Sequence, residues 1–334
     1  MTALPPTLGH GDLIRFASHL SDHAVVVLCT QPTEPLVKAR VDALTEFVEG
    51  IPGVELKHHH EMVQQEPRDE CDVEFWGLWR RILLDLGFQP RDLIVASEYY
   101  GERLSQEMGG EFIPYDIDRE LNPVQATVIR DNPVANFGFI LPEMQPVLRK
   151  RVTIFGAESV GKSTLTTIIG KDYTWTPEWA RLYLDAVGTE ITVEKMYTIW
   201  RGQRALHDQA EHRASRMGSA FIVHDTDLFS TLGYWRLSYG SVPPGLVEDA
   251  RERASDLYVI LGQDEVPFHP DPQRYGGDRR ESDDSLWIAI AEEYDLPYIY
   301  LQGSLDQRIA STKEALTTLF GDPFCGYRRE KGMA

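Results

Sequence analysis

Apolar and polar positions alternate between two rhythms along this chain, and their order predicts parallel sheets flanked by helices. AVVVLCT (24–30) is a continuous apolar run of strand length, KARVDALTEFVEGI (38–51) carries apolar residues at helical spacing, and VELKHHH (54–60) returns to a strand pattern. EFWGLWRRILLDLGF (74–88), DLIVASE (92–98), a helix from Tyr99 to Met108 and the strand EFIPYD continue the alternation. An α/β rhythm of this kind predicts a doubly wound, Rossmann-type parallel sheet.

The rhythm breaks in DNPVANFGFILPEMQPVLRK (131–150), which holds three prolines and little periodicity, and the apolar strand VTIFG (152–156) then begins a second unit. A domain boundary is expected near Leu141, giving units 1–140 and 141–334. The second unit reads as a helix (162–170), a short strand near Tyr173, helices through 215, and the strands AFIVHD (220–225) and LYVILG (257–262). The helix SLWIAIAEEYD, the strand PYIYL (297–301) and a last helix (305–319) complete it. A length of 334 residues suits two domains at roughly 100–200 residues each.

Composition narrows the setting. Apolar residues at 42% and charged residues at 25% are those of a folded globular chain. No apolar run reaches the ~18 residues of a membrane helix, and MTALPPTLGHGDL lacks the basic and apolar regions of a signal peptide, so a cytoplasmic location is expected. Cys29, Cys71 and Cys325 are scattered and odd in number, which suits reduced thiols, and no CxxC pair suggests zinc. A net charge of -19 repels polyanions, and the only dense basic group is Arg149, Lys150 and Arg151. Small molecules are therefore the expected partners, with no nucleic acid and no membrane; the sequence leaves room for a homo-oligomer.

The chemistry concentrates in GAESVGKS (156–163), a full G-x-x-x-x-G-K-[ST] match between an apolar strand and a helix. Gly156 and Gly161 let the backbone wrap so that its N–H groups face phosphate oxygens, Lys162 neutralises charge on the outer phosphates, and Ser163 offers a hydroxyl to Mg²⁺. Glu158, Ser159 and Thr164 complete the expected phosphate-binding set. FIVHDTD (221–227) is an apolar strand ending in two acids, where a P-loop fold keeps a carboxylate for the metal or its water. Asp225 is the first candidate and Asp227 the second; either could instead cap the next helix.

In PEWARLYLD (177–185), Glu178 is a candidate to receive an acceptor hydroxyl's proton or to bind its sugar. Arg181 lies three residues on, so both side chains share a helix face, as a substrate pair or as a plain ion pair. VPFHPDPQRYGGDRRESDD (266–284) is rich in Pro, Gly and Arg, the composition of a lid whose Arg274, Arg279 and Arg280 close on phosphates, or of a solvated loop.

The first unit carries subtler signals. Thr7-Leu8-Gly9-His10 opens a helix, and [HT]xGH at such a turn lets Gly9 permit close approach while His10, with Thr7, donates to phosphate oxygens. VQATVIR (124–130) places Thr127 three residues before Arg130, so one helix start can present hydroxyl, backbone N–H and guanidinium to a triphosphate. Trp76 and Trp79 share a helix face, as core or as a stacking platform. His58, His59 and His60 end a strand, where successive side chains alternate faces and cannot converge on a metal.

Taken in order, TLGH, SEYYGERL, VQATVIRDNP, GAESVGKST, PEWARLYL and HDTD resemble the bifunctional NadR family, nicotinamide-mononucleotide adenylyltransferase fused to ribosylnicotinamide kinase. The most specific piece is the joint between an [IV]-S-A-T-x-[IV]-R-like motif and a G-x-E-S-x-G-K-S P-loop. The resemblance implies that the second domain phosphorylates ribosylnicotinamide on its 5′-hydroxyl. The first would then join the mononucleotide (NMN) to the AMP moiety of ATP, giving NAD and pyrophosphate. Both steps would use ATP and Mg²⁺, with His10, Thr7, Thr127 and Arg130 on the phosphates and Trp76 on the nicotinamide ring.

This sequence departs from the family pattern in three ways: only six residues precede Thr7, Gln125 stands where Ser is usual, and Thr7 stands where His is common. No helix-turn-helix precedes the first motif, so an enzyme without a regulator arm is expected. Two other readings fit the same motifs. One is a P-loop kinase of another nucleoside with a weakened or nucleotide-sensing first domain; the other is a nucleotide-gated binding protein.

Overall fold

Thr7 starts the first helix by capping it. In the computed structural model, which describes residues 1–64, 67–69, 72–263 and 283–325, Thr7 is extended and its hydroxyl accepts from His10 N at 3.2 Å. His10 Nδ1 in turn accepts from Thr7 N at 3.0 Å, a reciprocal cap with His where Glu or Gln usually stands. Helix α1 (Leu8–Leu20) thus begins at Leu8, and Gly9 and His10 lie in its first turn.

The chain divides into one unit of Met1–Val147 together with the stretch from Asp322, and a second of Leu148–Gly321. In the first, β1 (Ala24–Thr30), α2 (Val37–Glu49) and β2 (Val54–His60) form a parallel pair with its crossover helix, Ala24 opposite Val54 and Thr30 opposite His60. Then α3 (Val73–Asp85), β3 (Leu93–Ala96), α4 (Tyr100–Met108) and β4 (Glu111–Pro114) follow, with β3 and β4 parallel. The ladders join as two parallel pairs, β1 with β2 and β3 with β4. After α5 (Ala126–Asp131) and a short 3₁₀ turn at Phe137–Phe139, α6 (Gln145–Leu148) leads into the second unit.

The division falls after Val147 rather than near Leu141, and the packing explains the difference. Leu141 lies in one apolar cluster with Ile14, Leu28, Leu44 and Phe47. Its N–H donates to Pro6 O at 2.9 Å, and Ile140 bridges Thr7. A Cβ on Gly11 of α1 would come 3.0 Å from Phe47 and 3.1 Å from Leu141, so this helix lies close against both. Buried Arg40 holds the segment before α1: Nε donates to Ala3 O at 3.1 Å, Nη2 to Thr2 O, and Nη1 to Glu34 Oε2 at 2.7 Å.

The second unit runs β5 (Lys150–Phe155), α7 (Lys162–Ile169), β6 (Thr174–Thr176), α8 (Trp179–Val187), α9 (Val193–Met217) and β7 (Phe221–Asp225). It continues with α10 (Leu228–Tyr239), α11 (Pro244–Glu252), β8 (Leu257–Leu261), α12 (Asp284–Glu293), β9 (Tyr298–Leu301) and α13 (Leu305–Phe320). Its strands form one parallel sheet in the order β6-β7-β5-β8-β9. Strands β7 and β8 are buried at every position, which is why they read as unbroken apolar runs. The chain fills one side of β5 with β6 and β7, then crosses to the other for β8 and β9. That reversal opens a crevice beyond the carboxyl ends of the strands, where α/β sheets bind ligands. Among the described residues no helix is long and apolar enough to cross a membrane.

Candidate active sites

The loop between β5 and α7 is shaped by residues in unusual backbone conformations. Gly156 has φ 130° and Gly161 φ 94°, and Ser159 is left-handed at φ 59°. A Cβ on Gly156 would lie 2.9 Å from Leu261 O, so the end of β8 excludes any side chain there. Gly161 has open space around it but sits at the start of α7 in a conformation that favours glycine. Buried Lys162 donates from Nζ to Gly156 O at 3.0 Å and to Ala157 O at 2.6 Å. Arg308 of α13, also buried, braces the loop from behind, donating to Val160 O, Gly262 O and Gly303 O at 2.9 Å each.

This loop forms one wall of a cavity of about 250 Å³. Glu158, Ser159, Gly161, Lys162, Ser163 and Thr164 line it together with Glu178 and Arg181, at the start of α8. The structure therefore gathers the P-loop and the Glu178 and Arg181 pair around a single space. Leu184, Ile191, Met196 and Ile199 give it an apolar wall, and Ser230, Thr231 and Tyr234 of α10 add hydroxyls.

The two acids after β7 separate. Asp225 ends the strand as a buried carboxylate. Asp227 takes the capping alternative: Oδ1 accepts from Phe229 N at 2.9 Å and Ser230 N at 3.2 Å, and Tyr258 OH donates to Oδ2 at 2.6 Å. It caps α10 with both oxygens engaged, and burial pushes its carboxyl up to about 6. Arg274, Arg279 and Arg280 lie outside the described residues.

Sequence reasoning passes over Gln203, which also lines the cavity, and Arg308. Gln203 leaves a trace: Met196, Ile199, Gln203, His207, Ala210 and Ala214 are the buried stripe of α9, and two polar side chains interrupt it. Arg308 leaves none, since nothing about an arginine on an amphipathic helix announces that it reaches three loop carbonyls.

In the first unit, His10 Nδ1 lies 2.8 Å from the Thr7 hydroxyl and accepts from Thr7 N. An accepting Nδ1 leaves the proton of the neutral ring on Nε2. Burial, reinforced by nearby positive charges including the N-terminus, Arg119 and Arg40, pushes the imidazole down to about 3, so the ring is neutral with its proton on Nε2. Gly9 faces Asn122, whose Cβ would lie 3.2 Å from an added methyl. Arg130 Nη2 donates to Thr127 Oγ1 at 3.0 Å, and Nη1 to Leu4 O, so the second motif reaches the segment that enters α1.

The two tryptophans differ in burial, Trp76 lying in the core and Trp79 half-exposed. Trp76 is buried edge-on to Phe75 at 4.9 Å between centroids, and Trp79 donates from Nε1 to Gln64 O at 3.0 Å. His58 and His60 share the Thr30 hydroxyl at 2.7 Å each, while His59 lies edge-on to Trp79, so the alternation of faces separates them as expected. Among the described residues, no group of three or more His, Cys, Asp or Glu side chains converges as a metal cluster.

An AAA domain family model matches residues 151–308, the P-loop and the sheet around it. The chain is 23% identical over 259 residues to the trifunctional NAD biosynthesis/regulator protein NadR of Escherichia coli strain K12, covering 74% of this chain and 62% of that one. It is 22% identical over 258 residues to the protein of the same name from Salmonella typhimurium, with the same coverage. The chain thus spans 62% of the length of these curated relatives. A crystal structure of NadR protein in complex with NR superposes with a TM-score of 0.61 at 17% identity, over 99% of this chain and 96% of that one. A second, in complex with NAD and AMP-PNP, gives 0.59 at 18% identity over the same shares. In sequence and in fold, the chain resembles the NadR family across both of its units.

Proposed function

We propose that the second unit transfers the γ-phosphoryl group of ATP to the 5′-hydroxyl of ribosylnicotinamide, and that the first joins the resulting NMN to the AMP moiety of a second ATP, giving NAD and pyrophosphate. The observation that carries the reading is the one cavity lined both by the P-loop and by Glu178 and Arg181. A phosphoryl donor held by the loop has an acceptor site facing it, which a nucleotide-gated switch does not require.

In the kinase, backbone N–H groups of the loop and the Lys162 amine hold the transferring phosphates. Glu178 takes the proton of the 5′-hydroxyl as the new P–O bond forms and the bond to ADP breaks. Arg181 offsets the charge of the phosphates. The donors available for a metal are oxygens, the Ser163 hydroxyl and the Asp225 carboxylate. They suit Mg²⁺, which takes one or two protein oxygens and completes its shell with phosphates and water. When bound, Mg²⁺ would neutralise charge on the phosphate oxygens. In the adenylyltransferase, His10 donates from Nε2 to a phosphate oxygen as a neutral ring, and Thr7, Thr127 and Arg130 supply further donors.

The test is to supply purified protein with ribosylnicotinamide and ATP and to follow NMN and NAD, with adenosine and uridine as competing acceptors. NMN followed by NAD supports both assignments. Absence of NMN sinks the kinase assignment, and NMN without NAD sinks the reading of the first unit.

A further inference from the structure

Gln203 connects the two segments that carry the acids of the second unit. It sits in the buried stripe of α9 and is 2% exposed. Its side-chain oxygen accepts from Trp179 N at 3.0 Å, and Nε2 donates to Thr226 O at 3.4 Å. Nε2 also lies 2.9 Å from His207 Nε2, one turn along the helix. An oxygen facing an N–H and a nitrogen facing a carbonyl fix which way the amide points, and His207 Nε2 must then be the acceptor. Both amide hydrogens are thereby used.

Trp179 directly follows Glu178, and Thr226 directly follows Asp225. One side chain therefore ties the peptide N–H directly after Glu178 to the carbonyl of the residue that follows Asp225. A second tie runs beneath it: the Thr176 hydroxyl is 2.8 Å from His224 Nδ1, and the His224 ring stacks on His207 at 3.9 Å between centroids. Thr176 lies two residues before Glu178, and His224 immediately before Asp225.

The residue so held is strained. Thr226 has φ 66°, a left-handed conformation that β-branched residues avoid. Such a conformation persists where the surroundings over-determine it. Thr226 N donates to Ile154 O at 3.2 Å on one side, and its carbonyl accepts from Gln203 on the other.

The geometry points to Gln203 as a positioning residue of the kinase, setting the separation of Glu178 and Asp225 through the Trp179 N–H and the Thr226 carbonyl. With both of its N–H groups spent on Thr226 and His207, it is not a donor to the acceptor substrate. The inference rests on the reading that these two acids serve phosphoryl transfer.

The experiment compares Gln203→Leu, Gln203→Glu, Glu178→Gln and the double variant Gln203→Leu/Glu178→Gln. Turnover is measured with ribosylnicotinamide and ATP, and amide hydrogen exchange is followed over 176–184 and 224–228. Gln203→Leu should lower kcat about 10- to 100-fold, the scale of a small misplacement of reacting groups, with KM for ATP within about twofold. Exchange should quicken in both segments. Gln203→Glu keeps the acceptor for Trp179 N and loses the donor to Thr226 O, so exchange should quicken only at 224–228 while kcat still falls. The double variant should be slower than Glu178→Gln by no more than about threefold, because residues acting through one another do not add.

The inference is overturned if exchange in both segments stays at wild type, or if the two substitutions multiply in full. It is also overturned if KM for ribosylnicotinamide rises at unchanged kcat, the signature of a substrate contact. Should Gln203→Leu fail to fold, the size-conserving Gln203→Glu decides by the same two measurements. A wild-type rate in Glu178→Gln, by contrast, removes the reading of the acids, and the exchange data still decide whether the brace exists.

Discussion

The two units carry motifs of comparable length and arrange them differently. In the second, the P-loop and the start of α8 open onto one cavity around the end of a five-stranded sheet. In the first, the motif residues engage one another and the backbone: His10 with Thr7, and Arg130 with Thr127 and Leu4 O. A P-loop is a contiguous device whose glycines and helix start build the site locally. The TLGH site is assembled from segments more than a hundred residues apart, and its geometry depends on what holds those segments. His10 in the first unit is fixed by Thr7, and Lys162 in the second is buried against loop carbonyls.

The sharpest way to separate the units is to silence each alone. Lys162→Ala is expected to lower ribosylnicotinamide phosphorylation by about 10²- to 10³-fold, the usual effect of removing one preorganised charge or donor, and to leave conversion of NMN to NAD at wild-type rate. His10→Ala should do the reverse, lowering adenylyl transfer by about 10²-fold. ADP release and pyrophosphate release, each with its own substrate, check the pair. If either substitution silences both reactions, the comparison itself is wrong.

The same contrast governs how much of the molecule is legible in the sequence. Periodicity places the strands of the second sheet because β7 and β8 are buried on both faces, and a short unbroken apolar run between turn residues fits a buried strand better than any other element. Gly156 to Ser163 declare their role by spacing alone. Asp227 does not: an acid two residues past a strand can hold a ligand or cap a helix, and only the positions of Phe229 N, Ser230 N and Tyr258 OH decide. The boundary escapes the sequence for a similar reason, since DNPVANFGFILP lacks periodicity yet Leu141 is core; packing against Phe47 is a long-range fact. Arg308 is illegible because its three carbonyl partners come from three separate loops.

A smaller effect probes packing beneath the second site. Gly202 of α9 has no room for a side chain: an added Cβ would lie 1.6 Å from Trp179 Nε1. Gly202→Ala should improve helix propensity yet push the Trp179 ring away, at a cost of about 3 kcal/mol for overpacking a close contact. Because Trp179 follows Glu178, phosphorylation should slow together with the loss of thermal stability, while adenylyl transfer stays unchanged. A variant with both activities and the melting temperature intact would mean that this helix is free to shift, and that the second unit is less rigidly built than its contacts imply.

The smallest effect is a difference in acid response. His10 is pushed down to about 3 in the first unit; in the second, burial pushes His207 down to about 4 and His224 well below its ordinary value. For each, the unfolded chain binds a proton below about pH 6.5 that the folded chain refuses, so stability is level above that pH and falls as pH drops through the window. Asp227 works the other way. Raised from 3.8 to about 6, its folded form holds the proton more tightly, so between those values it adds stability as pH falls. In the second unit Asp227 thus offsets part of the loss from the stacked pair, whereas His10 in the first has no such carboxyl beside it among the described residues. Between about pH 6 and 4, His207→Phe should therefore flatten the acid slope of the second unit, and Asp227→Asn should steepen it. Thermal unfolding across that range, with each unit followed by hydrogen exchange, distinguishes them. A slope unchanged by His207→Phe would mean that the buried ring does not resist protonation, and that the stacked pair shares its proton with the Gln203 network instead.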